Sequence, residues 1–305
     1  MDTICFHHND LDGIVSGAVV RKFYPDAKMI PINYSESRNE DLTGKRVIIV
    51  DFSFEDIDLV KEQCAELIWC DHHKTAKNDN KKAWNDPEIK GYRSLDYAGC
   101  MLTYAFFNNI PLADIGDMAK DPKTPAVVRH VSMYDMWQFA EGDEVDAFCA
   151  TAFVQLHSPD SLDFQPLLEN SFNLQMQYIR TGEILVQAAI DRVKHVARRE
   201  EAKVSKTPSG NITFLIVNST SDISRLGSYI NKELGYDIAA MFEIVNNRCR
   251  VSLRSLTRNV EVIAYELGGG GHVGAAGYTT DKDSREMYDD LVAMIYRQHA
   301  KSVRK

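Results

Sequence analysis

Three short segments in the first third of this chain put carboxylates and imidazoles close enough together to share one ion or one phosphate. His8-Asn9-Asp10-Leu11-Asp12-Gly13 sets two carboxylates at i, i+2 beside an imidazole, a combination suited to hard or borderline divalent cations, and Gly13 permits close backbone approach. Asp51 closes the apolar run VIIVD, where a carboxylate either bridges metal ions or caps the following loop. Asp71-His72-His73 follows ELIWC; one imidazole can sit on a metal and the other face substrate while the carboxylate orients a ring. Farther on, Asp135 stands among Met133, Tyr134, Met136 and Trp137, company in which a charge is costly unless paired or metal-bound. Each motif also has a plainer reading: an Asp helix cap in a solvated loop, a pair of packed loop histidines, an exposed helix position beside core aromatics.

The second group of residues suits an anion. Gly268-Gly269-Gly270-Gly271-His272 offers consecutive backbone N–H groups from Gly269, Gly270 and Gly271 as a nest, with His272 as a further donor to a phosphate oxygen. A flexible hinge competes with that reading, and the Lys-Ser/Thr ending of a P-loop is absent. Arg254, in VSLRS, falls at a predicted strand end and carries a guanidinium suited to bidentate phosphate contact.

The elements that must position these residues follow a βαβ rhythm. TICF, an amphipathic helix over DGIVSGAVVRKFY, KMIPIN, KRVIIVDF, EDIDLVKEQCA and ELIWC alternate in a way that predicts a mostly parallel sheet. Ligands of such sheets collect beyond the carboxyl ends of the strands, which is where His8, Asp10, Asp51, Asp71, His72 and His73 fall. A buried helix is predicted over residues 96–109 with Ser94 as its cap, another contains VVRHVSMYDMW, and a helical period runs from Leu174 to Lys203. After a turn at TPSGN the rhythm restarts in a smaller α/β region that ends in a helix near 283–298. The expected organisation is a first domain over 1–170, a helical connector over 171–204 and a smaller second domain over 205–305.

Composition sets the outer bounds. The 305 residues are 44% hydrophobic and 26% charged, ordinary for a folded globular chain and enough for two cores. A net charge of -9 argues against coating long nucleic acid, which needs a basic face, and leaves a short anionic substrate open. Six scattered cysteines without a CxxC pair suit reduced core thiols. No long apolar run and no signal-like start are present, so a cytoplasmic location without membrane association is expected.

Taken in order, these motifs resemble the DHH phosphoesterase superfamily, in the branch with a C-terminal DHH-associated domain ending in a GGGH motif. HNDLDG looks like motif I, Asp51 motif II, DHH motif III and Asp135 motif IV, with SLRS and GGGGH matching the associated domain. The resemblance implies an α/β fold with an N-terminal, mostly parallel-sheet domain in a catalytic role, a long helical connector and a smaller C-terminal α/β domain in a substrate-binding role. It also implies two Mn²⁺ ions, or Mg²⁺ or Co²⁺ in their place, with His8, Asp10 and Asp51 on one and Asp12, Asp51, His72 and Asp135 on the other. Asp51 would bridge; His73 would contact the phosphate, with Asp71 behind one of the two imidazoles. Spacing in motif I varies among members, which leaves His7 as the alternative to His8.

Within that superfamily the GGGGH segment argues against inorganic pyrophosphatases, and the short acidic chain against RecJ-like exonucleases. The nanoRNase group, oligoribonuclease B-like and cyclic nucleotide phosphodiesterases included, remains. The expected activity is hydrolysis of short oligoribonucleotides or cyclic nucleotides to mononucleotides, with Arg254, the glycines and His272 as the substrate grip. A pAp phosphatase or exopolyphosphatase-type phosphomonoesterase is the alternative enzyme, and a non-catalytic nucleotide sensor the alternative from another class. Whether the chain forms a homodimer is left open.

Overall fold

The computed structural model describes residues 1–33, 39–199, 203–207 and 210–302. The chain divides into two units, Met1–Val186 and Gln187–Lys305.

In the first unit, β1 (Thr3–His8), β2 (Lys28–Ile32), β3 (Arg46–Val50) and β4 (Glu66–Cys70) pair in parallel in the order β2-β1-β3-β4. Successive side chains of a strand point to opposite faces. Cys5, Ile48, Val50, Ile68 and Cys70 accordingly enter one core, while Ile4, Phe6, Val47, Ile49, Leu67 and Trp69 enter the other. Both faces are covered, which is why these strands read as continuous apolar runs. Pro31 is tolerated in β2 because that strand is the sheet edge.

Helix α1 (Leu11–Phe23) lies on the first face, and α2 (Ile57–Gln63), α3 (Lys74–Asp79) and α4 (Lys81–Trp84) contribute to the second core. The first face also receives α5 (Gly99–Phe107), α6 (Ile115–Met118), α7 (Ala126–Asp135), α8 (Glu144–Gln155) and α9 (Phe164–Leu168). Helix α1 departs from the amphipathic expectation: Leu11 to Val20 are buried without a break. Small residues let neighbours close in on every side; a Cβ on Gly17 would lie 2.6 Å from Pro159 Cγ.

Two further helix expectations need correction. Ser94 does not cap α5, which starts at Gly99 with Ala98 at its N-cap. The side chain of Ser94 instead pairs with Asp96, and the orphan N–H groups of Gly99 and Cys100 go to Asp12. Nor does the long helix reach Lys203: α10 (Phe172–Arg199) stops earlier, and β5 (Lys203–Thr207) follows. Tyr178 and Ile179 of α10 join the first core, whereas Val193 and Ala197 pack in the second unit.

In the second unit, β5, β6 (Gly210–Asn218), β7 (Ile238–Val245), β8 (Arg248–Arg254), β9 (Gly270–His272) and β10 (Ala275–Thr280) form a mixed sheet in the order β5-β6-β7-β8-β10-β9. Only β6 and β7 run parallel. One face packs on α12 (Val260–Glu266) and α13 (Ser284–Ser302), the other on α10 and α11 (Ile223–Lys232). Pro208 and Ser209, in the turn expected at TPSGN, lie outside the described residues. All six cysteines are free and five are buried, as core thiols should be. Among the described residues, no helix is long and apolar enough to cross a membrane.

Candidate metal centre and anion site

Strand pairing alone gathers the first set of residues. His7, Val50 and Cys70 stand in one row across β1, β3 and β4, so the next residue along each chain, His8, Asp51 and Asp71, emerges at neighbouring strand ends. Adjacent strands are about 4.8 Å apart, a spacing at which side chains from three strands can meet around small ions. Asp51 leaves β3 with φ 54°, a left-handed conformation that is uncommon outside glycine and turns the chain at this rim.

The contacts sort into overlapping groups. His8 Nδ1 lies 2.7 Å from Asp10 Oδ2 and 3.9 Å from Asp51 Oδ2. His72 Nε2 lies 3.1 Å from Asp51 Oδ1, 3.6 Å from Asp135 Oδ2 and 3.7 Å from Asp12 Oδ2. Ligand atoms of His8, Asp10 and Asp51, of Asp12, His72 and Asp135, and of Asp51, His72 and His73 each fall within 4.8 Å of one another. All six residues expected to hold metal therefore converge, and His73 joins them within ligand reach. Asp51 and His72 are each shared by two groups.

Capping and ligand geometry coexist here. Asp10 is the N-cap of α1, its Oδ1 accepting the Gly13 N–H at 2.9 Å, while its Oδ2 faces His8. Asp12 caps α5 instead, accepting from Gly99 and Cys100. A carboxylate oxygen has two lone pairs, so both residues keep acceptor capacity toward the cluster. Asp71 is fully buried; its Oδ1 accepts the backbone N–H groups of His72 and His73 and lies 2.8 Å from His73 Nδ1, which orients that ring.

His7 points elsewhere. Period-2 alternation sends it to the α1 side, where a Cβ on Gly17 would lie 3.3 Å from its ring. Its Nδ1 meets the His8 carbonyl, and burial pushes its pKa down. His8 is the histidine of this pair that stands with Asp10 and Asp51.

The electrostatics describe a site that lacks positive charge. Burial raises the pKa of the Asp51 carboxyl far above the usual carboxylate range, and Asp12, Asp10 and Asp135 raise it further. Both Asp51 oxygens are buried without a hydrogen-bond partner, although His72 Nε2 lies 3.1 Å from Oδ1. Asp135 is pushed up to about 7 by burial and by the charges of Asp12 and Asp10. His72 is lowered by burial, which favours the neutral imidazole a metal requires. Burial opposes protonation of His73, yet the hydrogen bond and charge of Asp71 raise its pKa. Carboxylates at this density and depth, with the orphaned oxygens of Asp51 and a His72 imidazole held toward its neutral form, fit a pair of divalent cations by donor chemistry.

The anion residues are also brought together, by a different sheet. Arg254, Ala275 and His272 are successive partners across β8, β10 and β9, so Arg254 and His272 share one lateral row. Arg254 donates to the Leu253 carbonyl at 3.0 Å and to Ser224 Oγ at 3.4 Å, and burial lowers its pKa from the usual arginine value. A Cβ on Gly227 would lie 2.6 Å from Arg254 Cγ, so this helix glycine makes room for the arginine stem. The glycine run is not a continuous nest. The Gly268 and Gly269 N–H groups close α12 on Tyr265 and Ala264, and Gly270–His272 is an edge strand. Close packing accounts for two of these glycines: a Cβ would lie 2.1 Å from the Gly277 carbonyl oxygen at Gly269 and 2.6 Å from Ala276 Cα at Gly271.

Gly99 and Gly227 carried no signal in the sequence. Gly99 donates to Asp12 and backs onto Asp51, whose Cβ would be 2.6 Å from an added methyl. Neither role can be found without the fold, because each depends on a partner far along the chain.

Comparison with known proteins follows the two units. Residues 2–127 match the DHH family, N-terminal domain, and residues 211–300 match the DHHA1 domain. Oligoribonuclease NrnB of Bacillus subtilis is 24% identical over 96% of this chain and 75% of its own length. The structure of the pGpG-specific phosphodiesterase PggH from Vibrio cholerae aligns with TM-score 0.56 at 11% identity, covering 97% of this chain and 99% of that one. That of exonuclease RecJ bound to manganese aligns with TM-score 0.52 at 14% identity, over 98% and 90%. The Asp/His cluster of the first unit, apart from Asp135, and the Arg254–His272 row of the second thus fall within two matched domains in their expected order, and the chain belongs to the DHH phosphoesterase superfamily, in the branch with a C-terminal DHHA1 domain.

Proposed function

We propose that the chain is a manganese-dependent phosphodiesterase that hydrolyses short oligoribonucleotides or cyclic nucleotides to mononucleotides. The observation that carries the reading is Asp51: a fully buried carboxylate, both oxygens unpartnered, shared by two of the three Asp/His groups. His8, Asp10 and Asp51 would hold one ion, and Asp12, Asp51, His72 and Asp135 the other. Such ions, when bound, lower the pKa of water and neutralise charge on a phosphoryl group.

The protein's own part is positioning. Asp71 holds His73 by its Nδ1, which directs the remaining ring nitrogen away from the buried carboxylate as a donor for a phosphate oxygen. In the second unit, Arg254 and His272 carry donors suited to an anionic substrate. The 24% identical relative is named an oligoribonuclease, one similar fold is titled a pGpG-specific phosphodiesterase, and another is bound to manganese; these support the substrate class and the metal.

Purified protein with Mn²⁺ should release mononucleotides from at least one member of a panel of dinucleotides, cAMP, cGMP and cyclic dinucleotides. Turnover of pAp or polyphosphate alone would move the assignment to a phosphomonoesterase. Nucleotide binding without any turnover would make it a sensor.

A further inference from the structure

Helix α7 ends on Asp135, and the chain leaves it through Met136 and Trp137. The Trp137 N–H closes on the Tyr134 carbonyl at 3.1 Å, and its backbone sits at φ 56°, a conformation that is strained for a bulky side chain. The residue is 72% exposed, whereas Trp69 and Trp84 are 0% and 7% exposed. The strained backbone thus turns a large aromatic side chain toward water and away from the core.

The ring is not loose, however. Trp137 stacks on Phe139 with centroids 6.1 Å apart and planes at 25°, and Phe139 stacks on Tyr134 at 4.5 Å and 17°. Phe153 meets Tyr134 edge-on at 5.5 Å. The exposed indole is thus the outer layer of an aromatic column, held flat from behind. Trp137 lies two residues beyond Asp135, so their Cα atoms are no more than about 7.6 Å apart. Asp135 Oδ2 is in turn 3.6 Å from His72 Nε2. The backbone separation is of the same order as the span from a nucleotide's phosphate to its base.

We infer that Trp137 is a stacking platform for the nucleobase of the nucleotide whose phosphate is held by the Asp/His cluster. The inference rests on the phosphodiesterase reading above and deepens it: the substrate carries a base, and the first unit recognises that base itself. Every base has a π face, so recognition through Trp137 tolerates sequence.

The test uses the full chain loaded with Mn²⁺, a dinucleotide, the abasic analogue of that dinucleotide, and GMP. Base stacking is worth about 10- to 100-fold in affinity, so Trp137→Ala should raise KM for the dinucleotide by that factor and leave the abasic analogue unaffected. Trp137→Phe should retain most of the affinity. Trp137→Gly accepts the positive φ without strain and should match the wild-type circular dichroism and unfolding temperature while losing nucleotide as the alanine variant does. GMP should quench tryptophan emission in the wild type and not in Trp137→Phe, because the other two tryptophans are buried. Unchanged KM in the alanine and glycine variants, with cleavage intact, overturns the stacking role and leaves the phosphodiesterase standing. Quenching through Trp137 without cleavage of any dinucleotide does the reverse, and neither quenching nor cleavage sinks both.

Discussion

Asp12 Oδ2 accepts the backbone N–H of Gly99 at 2.7 Å, although the two residues stand 87 positions apart. The bond ties the start of α1 to the start of α5 and aims a carboxylate at the cluster from a helix N-terminus, where negative charge is favoured. It also brings Gly99 against the back of Asp51, so one contact sets two candidate ligands.

Gly99→Ala tests that packing. The new methyl would fall 2.6 Å from Asp51 Cβ and 2.7 Å from Oδ1, so one or the other must move. The variant should lose about 1–3 kcal/mol of stability and bind Mn²⁺ about 10- to 100-fold more weakly. Urea unfolding and calorimetric metal titration measure the two effects; wild-type metal affinity would show that Gly99 does not position Asp51.

Asp51→Asn should separate metal binding from folding. Without metal, a neutral amide avoids the cost of a buried carboxylate among Asp12, Asp10 and Asp135, so the metal-free variant should be more stable than metal-free wild type by about 1–3 kcal/mol. The rise in unfolding temperature on adding Mn²⁺ should shrink and turnover should fall at least about a thousandfold. Thermal scans with and without the ion decide the first point independently of any substrate.

His130 predicts an acid limb of stability. It is buried, stacks on Phe148 with centroids 4.9 Å apart, and is lowered to about 4 by burial and by Arg129. The unfolded chain therefore binds the proton first as pH falls below the ordinary histidine value, and stability is lost between about pH 6.5 and pH 4. At pH 5 the loss from this residue should be about 2 kcal/mol relative to pH 7. Denaturant unfolding of His130→Leu at both pH values should show a drop smaller by that amount; an equal drop would assign the acid limb to other groups.

Gly227→Ala probes the second unit. The added methyl would meet Arg254 Cγ at 2.6 Å and Cβ at 2.9 Å, displacing the arginine stem. Nucleotide KM should rise about tenfold, the cost of losing one charge-assisted contact, while the Mn²⁺-induced stabilisation stays at the wild-type value. A change in metal response instead would contradict the assignment of Arg254 to substrate.

How much of this was legible beforehand follows from the range of each interaction. Strands and most helices could be read because apolar runs and helical periods are local. His8, Asp51 and Asp71 could be placed at one rim because parallel strands of similar length end together, which makes strand-end position nearly a coordinate. The family resemblance rested on the same local motifs. Ser94 misled as a cap because an N-terminal N–H can be satisfied by any carboxylate in space, and Asp12 reached α5 first. The GGGGH run read as a nest because glycine has several uses; pairing with β10 and the closure of α12 chose among them.

The sequence by itself thus determined the donor chemistry, acidic and imidazole groups at strand ends, because residue type and local periodicity are written residue by residue. Only the tertiary structure decided that His8 and not His7 stands with Asp51, that Asp12 is held by Gly99, and that the two oxygens of Asp51 are left for something other than protein. Those outcomes depend on which face a side chain takes and on what packs behind it, and both are set by partners distant in sequence.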